Sequence, residues 1–281
     1  MEERILYKYL DAEGGLKMLQ NHNLMFTNAT QLNDPFECHQ NLIDFSGSTN
    51  PRIFDFIRGR LRFQEEEWCK AARDKTWVCS LSKVFDSTLM WAFYGNNHQG
   101  ICIGIDFIKA MHHIGRIECF YKTWFEVQYT DIRNRPEYYH DKTINYLLYQ
   151  FATKAEEWAY EKEVRFVVIN PSSKHMSFLS EREETQFSGG MSEKSGGPGC
   201  SVKNTFKEST NKATTQDCRQ ARVFADLGGE CFDSLYFGTN VESYKREIIK
   251  EFAKNVNPNI KIYQMTQGPE AFRLKEEMIE K

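Results

Sequence analysis

No apolar run in the sequence approaches the roughly 18–20 residues that span a bilayer, so no transmembrane helix and no membrane partner are expected. There is no C-x-x-C pair. The eight cysteines (38, 69, 79, 102, 119, 200, 218 and 231) are scattered, which argues against a disulfide framework and for reduced cytosolic thiols, several of them buried in strands. The start, MEERILYKYL, lacks a secretory cleavage site, and a cytoplasmic location is expected. The seven histidines form neither H-x-x-x-H nor H-E-x-x-H, and the neighbours Cys38 and His39 would point to opposite faces of a strand. No metal is predicted. The P-loop, the G-x-G-x-x-G fingerprint and the G-x-S-x-G elbow are all missing, which leaves those nucleotide-binding and hydrolase classes unsupported. A net charge of -3 advertises no global basic field for nucleic acid, although a local basic groove stays open.

What is present suffices for a globular protein. With 281 residues, 41% hydrophobic and 14% aromatic, the chain can fill one large or two small cores. RILYKYL (4–10) reads as a strand, residues 11–22 as a helix capped by Asp11, and NLMFT as a second strand. Pro35 pushes Asp34 out of helical geometry, so NDP is a tight turn. Residues 51–73 read as an amphipathic helical stretch weakened at Gly59. TWVCSLS (76–82) is a strand, DSTLMWAFYG (86–95) a helix capped by Asp86 or Ser87, GICIGIDF (100–107) a buried strand, and 119–130 a further strand or hairpin arm. From 137 to about 158, Ile144, Leu147, Leu148, Phe151, Ala155 and Trp158 recur with helical periodicity and predict one long helix. Residues 171–222 are rich in Ser, Thr, Gly, Lys and Glu and read as an insertion or mobile loop. SLYFGTN, the helix carrying Tyr244, Ile248 and Phe252 at i, i+4 and i+8, and IKIYQM form a βαβ-like unit. The expected organisation is a main core over 1–170, the insertion over 171–222, and a segment over 223–281 that completes the same domain. Irregular alternation of strands and helices predicts an α+β fold with mixed sheets, flanking helices and a central cleft.

Three stretches carry candidate chemistry. In LNDPFE, Asn33 and Asp34 suit an Asx-turn with Phe36 anchored in the core, or Asp34 and Glu37 line a cleft. Ser80 and Ser82 share one strand face. Trp91 and Tyr94 lie three apart on the next helix, and His98 sits in a polar loop; together they suit either ordinary core packing or a cleft for a flat ring. In EWAYEKEVRFVV (157–168), strand alternation would place Glu161, Glu163 and Arg165 on one face opposite Val164, Phe166 and Val168. That row is either a solvated charge ladder of small energetic value or a ligand-facing carboxylate pair at the rim of a rigid element.

The motifs LNDPFE, V-x-SLS, LMWAFYGNNHQGICIGID, W-x-YE-x-E-x-R and the closing FGTN…IKIYQM resemble the bacterial domain of unknown function 2971 family, over roughly 4–170 and 232–265. A remoter resemblance is to the ADP-ribosyltransferase fold, which binds NAD in a cleft between two small sheets. That resemblance implies that Tyr7 or Tyr9 opens the site, Ser80 or Ser82 supplies the serine motif, Glu163 is catalytic and Glu161 orients the acceptor. It departs from the fold's pattern at the first motif, where Lys8 and the two tyrosines replace an Arg or His. The expectation is an NAD-using enzyme with Trp91, Tyr94, His98, Arg165, Asp34 and Glu37 around the pair. Phage defence or toxin biology is the setting that the resemblance implies, with a nucleic-acid or protein acceptor left open. The rivals are a non-catalytic binding module for a protein or nucleic acid and a Mg²⁺-dependent nuclease built on Asp34, Glu37, Glu161 and Glu163.

Overall fold

The computed structural model describes residues 4–44, 69, 71–131, 136, 146–177 and 218–280. In chain order its strands and helices are β1 (Ile5–Leu10), α1 (Ala12–Asn21), β2 (Asn23–Asn28), β3 (Thr76–Ser82), α2 (Thr88–Phe93), β4 (Ile101–Asp106), α3 (Phe107–Ile114), β5 (Cys119–Glu126), β6 (Gln128–Thr130), α4 (Tyr146–Ala152), β7 (Thr153–Ala155), β8 (Glu163–Pro171), β9 (Met176–Ser177), β10 (Arg222–Asp226), β11 (Phe232–Phe237), α5 (Ser243–Val256), β12 (Lys261–Gln267) and β13 (Leu274–Glu280). This is an α+β fold. Its large mixed sheet runs β13-β12-β11-β4-β1-β3-β2-β10-β9, with β8 on the other edge of β3 and β5 beyond it. Among the described residues no helix is long and apolar enough to cross a membrane.

Local signals explain most elements. The Asp11 carboxylate accepts the Gly14 N–H and starts α1; Ser87 does the same for α2 through Met90 N–H. Leu16 and Leu19 of α1 and Ile249 and Ala253 of α5 join Leu6, Ile103 and Ile105 in the principal core on one face of the sheet. Met90 and Trp91 of α2 cover the opposite face over Tyr9, Cys102 and Tyr236. A Cβ on Gly15 would stand 2.1 Å from Ile101 Cδ1, so α1 approaches β4 as closely as it does only because that residue is glycine.

The sheet forks at β3. Tyr7 of β1 stands opposite Ser82, while Thr27 and Asn28 of β2 stand opposite Val78 and Trp77. Both strands therefore share one edge of β3 and diverge around residues 79–81, while β8 pairs along the whole of the other edge, from Thr76↔Ile169 to Ser82↔Glu163. In the gap the Lys8 ammonium, 3.0 Å from the Ser80 carbonyl, takes the place of a ladder donor.

The parallel β11–α5–β12 unit forms as the sequence predicts. The buried face of its helix is different: Ile249 and Ala253 are buried, and Tyr244 and Phe252 are exposed. Small Ala253 lets α5 pack against α1, where an aromatic ring would hold the helices apart.

Three further expectations need correction. The long helix over 137–158 ends at Ala152; Thr153–Ala155 pairs parallel with Gln128–Thr130, and a 3₁₀ helix, Glu156–Glu161, follows. Helical periodicity is overridden there because the extended backbone carries Lys154 into a buried set of carboxylates. Phe36 does not anchor its loop: it is 56% exposed, because the turn sends its neighbour Glu37 inward. The 171–222 stretch is not structureless at its ends, since Met176–Ser177 and Arg222–Asp226 pair as strands. Residues 178–217, most of the stretch 51–73 and Ile144 lie outside the described residues.

Candidate functional site

A cavity of about 250 Å³ opens in the fork between β1 and β2. Tyr7, Lys8 and Tyr9 come from β1, Met25 and Thr27 from β2, and Ser80, Leu81 and Ser82 from the stretch of β3 where β1 and β2 part. Met90 and Tyr94 close one side, and Glu37, Lys154, Glu161 and Glu163 form its charged wall. A second cavity of about 350 Å³ lies behind that wall, sharing Glu37 and Lys154 and reaching Asp34, Asp131 and Glu157. A larger one of about 610 Å³, over Phe120, Trp124 and Phe125, holds none of these charged groups.

The wall is a buried ionic network of three carboxylates and two cations. Arg165 is 0% exposed. Its Nε and Nη2 grip both Glu163 oxygens at 2.8 and 2.9 Å, Nη2 also bonds Glu37, and Nη1 reaches the Phe151 carbonyl at 2.8 Å and Cys38 Sγ at 3.4 Å. Lys154 Nζ lies 2.6 Å from Glu161, 3.5 Å from Glu37 and 3.6 Å from Glu163, over the Trp158 ring. Each charge taken from water is thus offset by another at contact distance, which an isolated buried ion requires.

The reading of Glu161, Glu163 and Arg165 as a solvated ladder is overturned: β8 is an interior strand, and all three residues are buried. Nor do they form one strand row. Glu161 ends the 3₁₀ helix, Lys162 turns the chain at φ 43°, and only then does β8 begin. Glu163 and Arg165 share a strand face, whereas Glu161 reaches the same cluster from the turn. Ser82 fixes that turn, its hydroxyl donating to the Glu161 carbonyl at 2.7 Å and accepting the Val84 N–H at 3.1 Å.

The two glutamates have opposite electrostatics. Burial raises the Glu163 pKa, but the Arg165 charge and hydrogen bonds, then Lys154 and Ser80, more than offset it and hold the group at about 2. Burial raises Glu161 as well, and there the Lys154 and Tyr94 contacts offset it only in part, so its pKa stays above the usual carboxylate range. Tyr94 Oη donates to Glu161 Oε1 at 2.6 Å and accepts from Asn33 Nδ2 at 3.2 Å. Burial and the neighbouring carboxylate raise the Tyr94 phenol too.

Of the residues singled out from sequence, Tyr7, Tyr9, Ser80, Ser82, Tyr94, Glu37, Glu161 and Glu163 line this one cavity. Arg165 lies behind it. Asp34 makes the expected Asx-turn, its Oδ1 accepting the Phe36 N–H at 2.9 Å, and lines only the second cavity. Trp91 is core: its ring packs edge-on against Tyr9 and its Nε1 donates to the Phe85 carbonyl. His98 lines a separate cavity with Thr239, Asn240 and Arg273.

Lys154 escaped the sequence reading, and Lys8 was noticed only as a departure from a motif. The available signal for Lys154 was charge balance, because three carboxylates entering one core demand more than Arg165.

Residues 90–166 match the model of a protein family described as a protein of unknown function, DUF2971. It is the family that the sequence motifs resemble. The matched segment carries Tyr94, Lys154, Glu161, Glu163 and Arg165, while Glu37 and the β1 and β3 residues lie outside it. No curated protein and no solved structure matches the chain.

Proposed function

We propose that the forked cavity is the active site of a cytosolic, ADP-ribosyltransferase-like enzyme that cleaves the nicotinamide–ribose bond of NAD. The observation that carries the reading is a row across three adjacent strands: Tyr7 opposite Ser82, and Ser82 opposite Glu163, at the point where the sheet splits. These are the aromatic, serine and glutamate positions that the remote resemblance assigns. A cavity of about 250 Å³ is below the usual range for a whole drug-sized ligand, so it takes a nucleoside-sized part of the dinucleotide. Lys8, whose ammonium is bonded to a carbonyl rather than a carboxylate, supplies a cation for a phosphate beside it.

The divided electrostatics support a division of roles. As the C–N bond breaks, its electron pair leaves with the nicotinamide nitrogen and positive charge develops on the ribosyl carbon. Glu163, held ionised, stabilises that charge, as carboxylates do in glycoside cleavage. Glu161, with its raised pKa, takes the proton from the attacking water or acceptor. The nuclease reading is disfavoured by the partners of its carboxylates: Glu37 and Glu163 share Arg165, and Glu161 bonds Lys154.

The test is incubation of the protein with NAD and assay of free nicotinamide, with Glu163→Gln in parallel. Release that is lost in the variant supports the proposal. Neither release nor NAD binding, or release unchanged by the substitution, overturns it. Cleavage of nucleic acid that stops on chelation would establish the nuclease instead.

A further inference from the structure

Sequence spacing predicts no metal site, yet among the described residues the fold gathers a set of mixed ligands that shares no residue with the forked cavity. β4 and β11 are antiparallel neighbours with Ile105 opposite Phe232. The helix that follows β4 and the turn that precedes β11 therefore meet at one end of the sheet. His113 stands in the last turn of α3, and Glu230 and Cys231 occupy the 3₁₀ turn Gly229–Cys231. We infer that His113 Nε2, a Glu230 carboxylate oxygen and Cys231 Sγ form a binding site for a zinc-class divalent ion, with one coordination position open to solvent.

The three ligand atoms all lie within 4.8 Å of one another. A tetrahedral zinc ion with bonds of 2.0–2.3 Å sets its ligands about 3.3–3.8 Å apart. His113 Nε2 and Glu230 Oε1, at 3.3 Å, are already at that spacing. Thiolate, imidazole and carboxylate together favour zinc over magnesium or calcium, which take oxygen ligands. Burial is graded as an open site requires: Cys231 is fully buried beneath, and the Glu230 side chain is 60% exposed.

Two neighbours shape the site. A Cβ on Gly228 would fall 2.2–2.4 Å from the Glu230 carboxylate, the movable end of that side chain, so a larger residue there would turn the carboxylate aside. Lys109 Nζ donates to the Glu230 backbone carbonyl at 2.9 Å, a contact that does not use the carboxylate. The Gly228 N–H, 3.3 Å from His113 Nε2, holds the ring and yields that lone pair when the ion binds. An exposed His–Glu contact alone would not call for a buried thiol as third member. The ion would staple α3 to the start of β11.

The test is titration of chelator-treated full-length protein with Co²⁺, followed by displacement with Zn²⁺. The expected result is binding with a near-ultraviolet thiolate-to-cobalt band that is missing in Cys231→Ser, and a Tm raised by Zn²⁺. Glu230→Gln, at an exposed position expected to leave the fold intact, and His113→Ala should each weaken binding more than about tenfold, as even outer-sphere losses can do. No thiolate band in the wild type, or a band and affinity that Cys231→Ser and Glu230→Gln leave unchanged, overturns the inference. NAD cleavage is read separately, so either result stands apart from the proposed activity.

Discussion

The Tyr94 hydroxyl bonds Glu161 at 2.6 Å, tying the end of α2 to the turn before β8 across the mouth of the cavity. That contact lowers the Glu161 pKa against the larger effect of burial. If Glu161 acts as the base, activity rises with pH through its titration. Tyr94→Phe removes a donor to the ionised form, so the pKa climbs further and the rising limb moves to higher pH. Glu161→Gln should reduce nicotinamide release by about 10²–10⁴-fold, the usual worth of a general base. A pH–rate profile of Tyr94→Phe that is lower throughout but has an unmoved limb would assign the titration to another group.

Arg165 and Glu163 form a two-point pair with no solvent to replace either partner. Arg165→Met leaves Glu163 and Glu37 with Lys154 as their nearest cation, and should cost about 3–5 kcal/mol of stability, the range for breaking a buried pair. Arg165→Met with Glu163→Leu should recover part of that loss, since both charges are then gone. Urea unfolding of the two variants checks the order. Losses that simply add, with the double variant below Arg165→Met by the full cost of Glu163→Leu alone, would show that the two residues are not coupled.

Much of this site was legible in the sequence, for a physical reason. β1, β3, β4 and β8 are interior strands whose apolar runs are bounded by polar or Gly-containing turns, so their limits follow from local chemistry. The Asx-turn at Asp34 and the caps at Asp11 and Ser87 are equally local. What failed was decided at long range. The helix over 137–158 has good periodicity, but Lys154 is needed as a counter-ion in a cluster assembled from residues 37, 161 and 163. Phe36 reads as an anchor until Glu37 is seen to take the inward place. β13 went unread because LKEEMIE is an exposed edge strand, paired only with β12 among the described residues, and its charges hide any alternation. His113 meets the sequence neighbours Glu230 and Cys231 only because β4 pairs with β11, a relation no local pattern announces.

Glu163 and Glu161 should also leave opposite marks on stability against pH. The folded Glu163 pKa, about 2, lies below its unfolded value near 4.5. Its contribution is therefore complete above about pH 4.5 and is lost as pH falls through about 2. Glu161 is raised when folded, so its contribution is present below the unfolded value and is lost as pH rises through the folded one. In wild-type protein, stability should fall on acidification between about pH 4.5 and 2 by on the order of 3 kcal/mol from Glu163 alone. Glu163→Gln should flatten that slope while lowering stability at neutral pH. Chemical unfolding at a series of pH values measures both, and an unchanged slope would mean that another carboxylate dominates acid unfolding.

His98 gives the sharpest separation between what the sequence suggested and where the fold puts the chemistry. Its φ of 64° follows left-handed Asn96 and Asn97, its backbone bonds Trp91 and Asn240, and its ring lies parallel to Trp91 at 6.5 Å. Burial lowers its pKa, and the ring faces a cavity that shares no lining residue with the forked one. Its imidazole therefore stands outside the forked cavity. His98→Ala should leave nicotinamide release within about twofold of wild type, while Ser82→Ala, which frees the Glu161 turn, should lower it more and cost about 1–3 kcal/mol of stability through the buried carbonyl left unpaired. A large loss of activity in His98→Ala with an unchanged Tm would move the active site to the other side of α2.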